Sequence, residues 1–201
     1  RRFNSAVGQV VLWDDHEVRD NWYETRDLSK DARYQEKSMA LLAARARQAF
    51  FEFNPLPVDG VELERHYRTV PCGPLAEIFV LDLRSYRGPN SGNLQTTLTD
   101  ESRLLGTAQV EWLQRSLRAS KAVWKIIACS MPIGLVVPDG PSNFEAIANG
   151  DPGVPRGREQ ELAVVLKFIH DQRIRNVVWV PGDVHYCAPH HYDPARARFT
   201  E

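Results

Sequence analysis

The chain has 201 residues, 43% of them hydrophobic and 25% charged, with 25 basic against 26 acidic side chains and a formal net charge of −1. That composition supports one globular domain with a sizeable core and excludes a disordered chain or a coiled coil. The balanced charge leaves no cationic excess to coat a polyanion, so a nucleic-acid-coating surface is disfavoured and any phosphate chemistry is local.

Val7-Gly-Gln-Val-Val-Leu-Trp13 reads as a buried strand that runs into the polar cluster Asp14-Asp15-His16-Glu17, the pattern of a parallel strand carrying a site at its C-terminal end. From Ala32 to Phe53 apolar residues recur at helical spacing, with Met39, Leu42, Ala46, Ala49 and Phe53 on one face, and Asn54-Pro55 stops the run. Glu62 to Val70 and Ala76 to Leu81, joined through Pro71-Cys72-Gly73-Pro74, predict an antiparallel pair whose second member ends in Asp82-Leu83-Arg84-Ser85-Tyr86-Arg87. Gly88 to Asp100 is a loop, after which Thr107 is the expected cap of a helix with Val110, Leu113 and Leu117 on its face. Val123 to Ala128 is a core strand. Met131 to Gly157 follows as a long Pro- and Gly-rich loop, of a length that marks a functional or mobile segment. A helix from Arg158 to Asp171 leads to a last buried strand, Asn176 to Val180, which empties into Pro181-Gly182-Asp183-Val184-His185. No linker or repeat divides the chain, and its apolar runs fall far short of the roughly 20 residues of a membrane span.

Two apolar strands thus end in a carboxylate and a histidine, Asp15-His16 early and Asp183 with His185 late. Parallel strands bring such ends together, and carboxylate oxygens with imidazole nitrogens are common metal ligands, so a metal site is the economical reading. Asp14, Asp15, His16, Glu17 and Asp20 lie within seven residues, where adjacent acids repel unless cations or hydrogen bonds compensate. Trp13 and Trp22 argue against a fully wet loop. The phosphate-binding GxxxxGK[ST] loop, HExxH, GxSxG and GxGxxG are all absent, and Cys72, Cys129 and Cys187 form no CxxC.

Trp13-Asp14-Asp15-His16-Glu17-Val18, Leu81-Asp82-Leu83-Arg84-Ser85-Tyr86-Arg87 and Gly182-Asp183-Val184-His185-Tyr186, in that order, resemble the PhoD-like alkaline phosphatases of the calcineurin-like metallophosphoesterase superfamily. Leu105-Gly106, Gln109, Trp112-Leu113, Trp124-Lys125 and Met131-Pro132 extend the likeness over nearly the whole chain. The resemblance implies an α/β fold, a metallophosphatase-like layered α/β/β/α sandwich, and phosphoric ester hydrolysis by metal-activated water at a Ca2+ and Fe3+ centre. It implies metal ligands at Asp14, Asp15, Asp183 and His185, with Asp20 or Asn21 near the metals, and His16 against the substrate phosphate. The family has Asn-Asn where this chain has Asp20-Asn21, and a carboxylate there still binds a hard cation. Arg84 is expected as a catalytic residue, either behind the ligands or facing the phosphate, with a structural pair with Asp82 as the alternative.

The resemblance also implies that residues 1–201 form one metallophosphatase domain incomplete at both ends. A cysteine, a Gly-Asp pair and a tyrosine of the metal site are expected on polypeptide before residue 1. Small phosphate esters are the expected substrates and export the expected destination. A phosphodiesterase or phospholipase-like enzyme on the same scaffold, and a non-catalytic domain holding calcium through Asp15, Asp20 and Asp183, are the alternatives.

Overall fold

The computed structural model describes residues 5–57, 60 and 62–191. In chain order the elements are α1 (Met39–Phe53), β1 (Arg68–Cys72), β2 (Ala76–Val80), α2 (Thr107–Ala119), β3 (Trp124–Cys129), β4 (Pro138–Asp139), β5 (Asn143–Phe144), α3 (Glu159–Asp171) and β6 (Val177–Pro181). Four strands make a mixed sheet in the order β1-β2-β3-β6, and β4 with β5 makes a short ribbon inside the long loop. β1 is antiparallel to β2, while β2, β3 and β6 run parallel. Parallel neighbours need crossovers, which α2 and α3 supply. The ends of β2, β3 and β6 therefore lie side by side, with Val80 beside Ala128 and Cys129 beside Pro181. The expected α/β layering is present.

Among the described residues two cores hold the chain together. In the first, Phe79, Leu81, Ile127 and Cys129 meet Val110, Leu113 and Leu117 of α2 and Val165 of α3. In the second, Trp13, Trp22 and Leu28 pack on Met39 and Ala43 of α1, with the two indoles edge to face at 5.4 Å between centroids. Both tryptophans are buried, as their place beside the acidic cluster suggests.

Several expectations shift. Residues 7–13 do not form a strand: Val7 and Val10 are exposed and Trp13 is buried. An extended segment becomes a strand only by pairing, and no ladder among the described residues includes this one. The helix expected from Ala32 starts at Met39, where Ser38 accepts from the Leu41 N–H as its cap. Just upstream, Arg19 and Arg33 pair with the Asp31 carboxylate and Lys37 donates to the Asp31 carbonyl, which holds that stretch in turns. The inward face of α1 is Met39 and Ala43 with Leu42 and Phe50 packed beside them, whereas Phe53 is 83% exposed. Thr107 is the first residue of α2 and not its cap. Gly106 holds the cap position at φ 77°, and Glu161 of α3 reaches across to accept from the Leu104, Leu105 and Gly106 N–H groups at 3.1, 2.6 and 3.4 Å.

One sheet face is covered by α2 and α3. On the other, strand alternation and register align Trp124, Ile126 and Ala128 of β3 with Val178 and Val180 of β6, and Val178 and Val180 are 41% and 52% exposed. An apolar face ending at an edge strand is an association hazard. Light scattering on this chain is expected to give a mass that rises with concentration and falls on Val180→Lys; a monodisperse monomer across the range contradicts this. The Cys129 thiol, buried in the first core, is pushed up to about 12 by burial. Native alkylation near neutrality should therefore modify the exposed Cys72 and Cys187 and reach Cys129 only after unfolding, and labelling of all three in the native state contradicts the packing described.

Candidate metal centre

The Asp14-Asp15 segment is shaped by its own backbone. The Asp15 carbonyl accepts from the Val18 and Arg19 N–H groups at 2.9 and 2.7 Å, closing a single turn, and Glu17 accepts from the Asp14 N–H at 2.7 Å. Asp15 Oδ1 accepts from the His16 N–H and Oδ2 from the Asn21 N–H, each at 2.8 Å, with Asn21 in the left-handed region at φ 53°. Two indoles fasten the segment: Trp13 donates to Asp82 Oδ1 at 3.1 Å and Trp22 to the Asp14 carbonyl at 3.2 Å. Asp183 arrives from the end of β6, also left-handed at φ 69°. Asn and Asp are the non-glycine residues that best tolerate this region, which suits them to these two turns.

The outcome is that Asp14, Asp15 and Asp183 bring one carboxylate oxygen each within 4.8 Å of one another, and Asp15, His16 and Asp20 form a second such group sharing Asp15. Asp15 is buried, Asp14 and Asp183 are half-buried and Asp20 is exposed. The His16 side chain is 70% exposed, its Nε2 4.0 Å from Asp15 Oδ2 and 3.9 Å from Asp20 Oδ1. His185 is exposed on the turn after β6 and joins neither group, and the Asn21 amide donates to Asp139.

Arg84 is fully buried beneath these carboxylates. Its Nε donates to Asp14 Oδ1 at 2.7 Å, Nη1 lies 2.6 Å from Glu145 Oε1, and Nη2 lies 3.9 and 3.7 Å from Asp15 and Asp183. The guanidinium pairs with the site and not with Asp82, which instead accepts from the Arg84 and Ser85 backbone N–H groups. It offers no exposed surface to a phosphate; its chemistry is that of a counter-charge. Glu145 escaped the sequence reading. The available signal was an acid flanked by Phe144, Ala146 and Ile147 in a segment with no amphipathic period. The long loop that holds Glu145 is stapled rather than loose, because buried guanidiniums grip its carbonyls. Arg158 donates to the carbonyls of Ala146 and Phe144, and Arg87 to that of Glu145.

Burial raises the pKa of Asp14, with Asp15 adding to the rise and Arg84 opposing it. Burial likewise raises Asp183 and Glu145, each also pushed by a neighbouring carboxylate and opposed by Arg84. Burial alone would lower Arg84, yet Asp14, Glu145 and Asp15 hold it above its ordinary value. Crowded oxygen donors that resist ionisation and have one buried guanidinium among them suit a hard cation, which would supply the missing positive charge. The residues present fit such an ion. A cavity of about 390 Å3 lies next to this region, lined by Trp22, Arg47, Glu64, Ser85 and Tyr86 but by none of the carboxylates.

Comparison with known proteins gives one consistent result. A family model described as PhoD-like phosphatase matches residues 1–201. The alkaline phosphatase D of Bacillus subtilis (strain 168) is 34% identical over 196 residues, which is 90% of this chain and 32% of that protein. A solved structure described as "Structure of PhoD" aligns with a TM-score of 0.64 at 31% identity, over 88% of this chain and 34% of that one. The chain spans about a third of the length of these relatives, as those 32% and 34% coverages state.

Removing one partner of a buried ion pair costs about 3–5 kcal/mol, so Arg84→Met should destabilise the chain on that scale near neutral pH. The pH dependence follows from the sign of the shifts. Carboxyls whose folded pKa lies above the unfolded value carry no penalty below the unfolded value and a full one above the folded value. Without bound cations the contribution of Asp14, Asp183 and Glu145 should therefore fall as pH rises out of the ordinary carboxylate range, against the opposite contribution of carboxyls held low such as Asp31, Asp82 and Asp139, and the fall should be larger in Arg84→Met. Thermal melts of both proteins from acid to neutral pH check this, and parallel curves would contradict the counter-charge role.

Proposed function

The chain belongs to the PhoD-like phosphatase family, and from that premise we propose that its carboxylate cluster is part of a metal-dependent centre that hydrolyses phosphoric esters. Convergence of Asp14, Asp15 and Asp183 around one buried guanidinium is the observation that carries this reading. Asp14, Asp15, Asp20 and Asp183 would hold the cations, with the Asn21 amide oxygen and His185 as further donors, and calcium and iron are the ions the family resemblance implies. Bound cations supply neutralisation of charge on phosphoryl oxygens and lower the pKa of water. Turnover is assigned to a polypeptide that also provides the cysteine, Gly-Asp pair and tyrosine expected of the family.

The residues of this chain have distinct tasks in that chemistry. Asp15, oriented by the His16 and Asn21 N–H groups, presents its oxygens without rotating. His16, exposed above Asp15 and Asp20, donates a hydrogen bond or proton to the leaving-group oxygen of the ester. Arg84 keeps a fixed positive charge below the carboxylates and holds Asp14 in place. Asp14 and Asp183 sit where burial and neighbouring carboxylates disfavour their charged forms, so a bound cation would compete with protons for both. Phosphate monoesters are the proposed substrates and diesters the second class. Export is proposed on the family resemblance, and no described helix is long and apolar enough to cross a membrane.

Metal content and turnover of p-nitrophenyl phosphate, measured in this chain and in a version extended at its N-terminus to include the family's remaining ligands, test the reading. Iron, calcium and turnover in the extended protein, all lost on Asp183→Ala, are expected. His16→Ala should lower kcat about 10²–10⁴-fold with metal content retained. Activity on bis-p-nitrophenyl phosphate decides the diester question. An extended protein with neither metal nor turnover overturns the proposal.

A further inference from the structure

Asp139 stands at the end of β4, within the long loop, 118 residues along the chain from Asn21. Its two carboxylate oxygens have different partners: Oδ1 accepts from Asn21 Nδ2 at 2.9 Å and Oδ2 from Asn90 Nδ2 at 2.8 Å. Asn90 in turn accepts from the buried Arg87 at 2.6 Å, which ties Asp139 to the segment that carries Arg84. A carboxylate only accepts, so the Asn21 amide has one allowed orientation, with its nitrogen on Asp139 and Oδ1 directed away from it. The rest of Asn21 is equally committed. Its N–H donates to Asp15 Oδ2 at 2.8 Å, its carbonyl accepts from Arg26 Nη1 at 2.6 Å, and its backbone is left-handed. Oδ1 is the one polar atom of Asn21 outside these bonds.

We propose that Asp139 is a positioning residue of the metal centre: it orients the Asn21 amide and, through the Asn21 N–H, keeps Asp15 Oδ2 in register with Asp14 and Asp183. The inference rests on the metal-centre reading above for its consequence, though not for its geometry. It makes the β4–β5 ribbon a limb of the site. Burial favours the neutral Asp139 carboxyl, but the Asn21 and Asn90 amides and nearby Arg26 and Arg87 hold its pKa below the ordinary value, consistent with an ionised acceptor.

Amide hydrogen exchange and calcium titration, both on the full chain, test it. In Asp139→Ala the peptide covering 14–26 should exchange faster while α2 and α3 keep their protection, and unchanged exchange at 14–26 overturns the proposal. For calcium binding, Asp139→Ala and Asn21→Ala should each weaken affinity about tenfold, the scale on which groups supporting metal ligands act. Because Asp139 acts through Asn21, the double variant should bind no more weakly than Asn21→Ala alone; losses that multiply overturn the proposal. Asp139→Asn keeps one acceptor for Asn21 and is expected to restore part of the affinity, and it carries the same cycle if the alanine variant does not fold. Where this chain takes up no calcium the titrations are made in the N-terminally extended protein; no uptake there counts against the metal-centre reading, and the exchange result then decides the role of Asp139 by itself.

Discussion

Arg84 is the positive charge around which this part of the molecule closes. Asp14 and Asp15 come from the segment after Trp13, Glu145 from the long loop, and Asp183 from the end of β6, while Arg84 itself follows β2. Segments far apart in sequence therefore share one buried guanidinium. Leaving such a group without its partners costs several kcal/mol, which makes their separation expensive even before packing is counted. The arrangement is also lopsided, since four carboxylates share a cation that ordinarily pairs with one or two. Their burial shows in the raised pKa values of Asp14, Asp183 and Glu145, and a cation, if bound, would remove that imbalance.

Asp82 connects this charged centre to the two cores. It is completely buried, accepting from the Trp13 indole and from the Arg84 and Ser85 backbone, and its own N–H and carbonyl are gripped by the Gln109 amide at 2.8 and 2.9 Å. Burial pushes its pKa upward, but His66, 3.4 Å away, and the hydrogen bonds from Ser85 and Trp13 hold it below the ordinary value. Gln109 belongs to α2 and Trp13 to the aromatic cluster on α1, so one carboxylate joins the helix-covered sheet to the loop that presents Asp14 and Asp15.

Sequence pattern located most of the framework because the signals were periodic. The strands at β1, β2, β3 and β6 and the helices α2 and α3 each carried a run of apolar residues with turn residues at its ends, and these elements suffice to bring Asp183 beside the end of β3, at the same end of the sheet as the residues that follow β2. Residues 7–13 carried the same signal without becoming a strand, since pairing partners are a property of the whole fold. Asp14, Asp15 and Asp183 were legible as strand-end acids and do converge. Glu145 and Asp139 were not legible, because their roles depend on where an irregular loop crosses back over the sheet ends. Arg84 was legible as a residue near the site, but its burial under the carboxylates was visible only in three dimensions.

The Glu161 carboxylate has a bearing on how the chain reaches this state. Buried backbone N–H groups need a partner, and in the turn that leads into α2 those of Leu104, Leu105 and the cap residue Gly106 find theirs on a side chain of α3. Glu161 is itself buried there, so neither the amides nor the carboxylate has an equivalent partner until both helices are docked. The two crossovers are thereby coupled: moving either helix away leaves a buried polar group of the other without its partner. Since β3 lies between those crossovers, a contact remote from the carboxylates also holds in place the two helices that flank the strand beside Asp183.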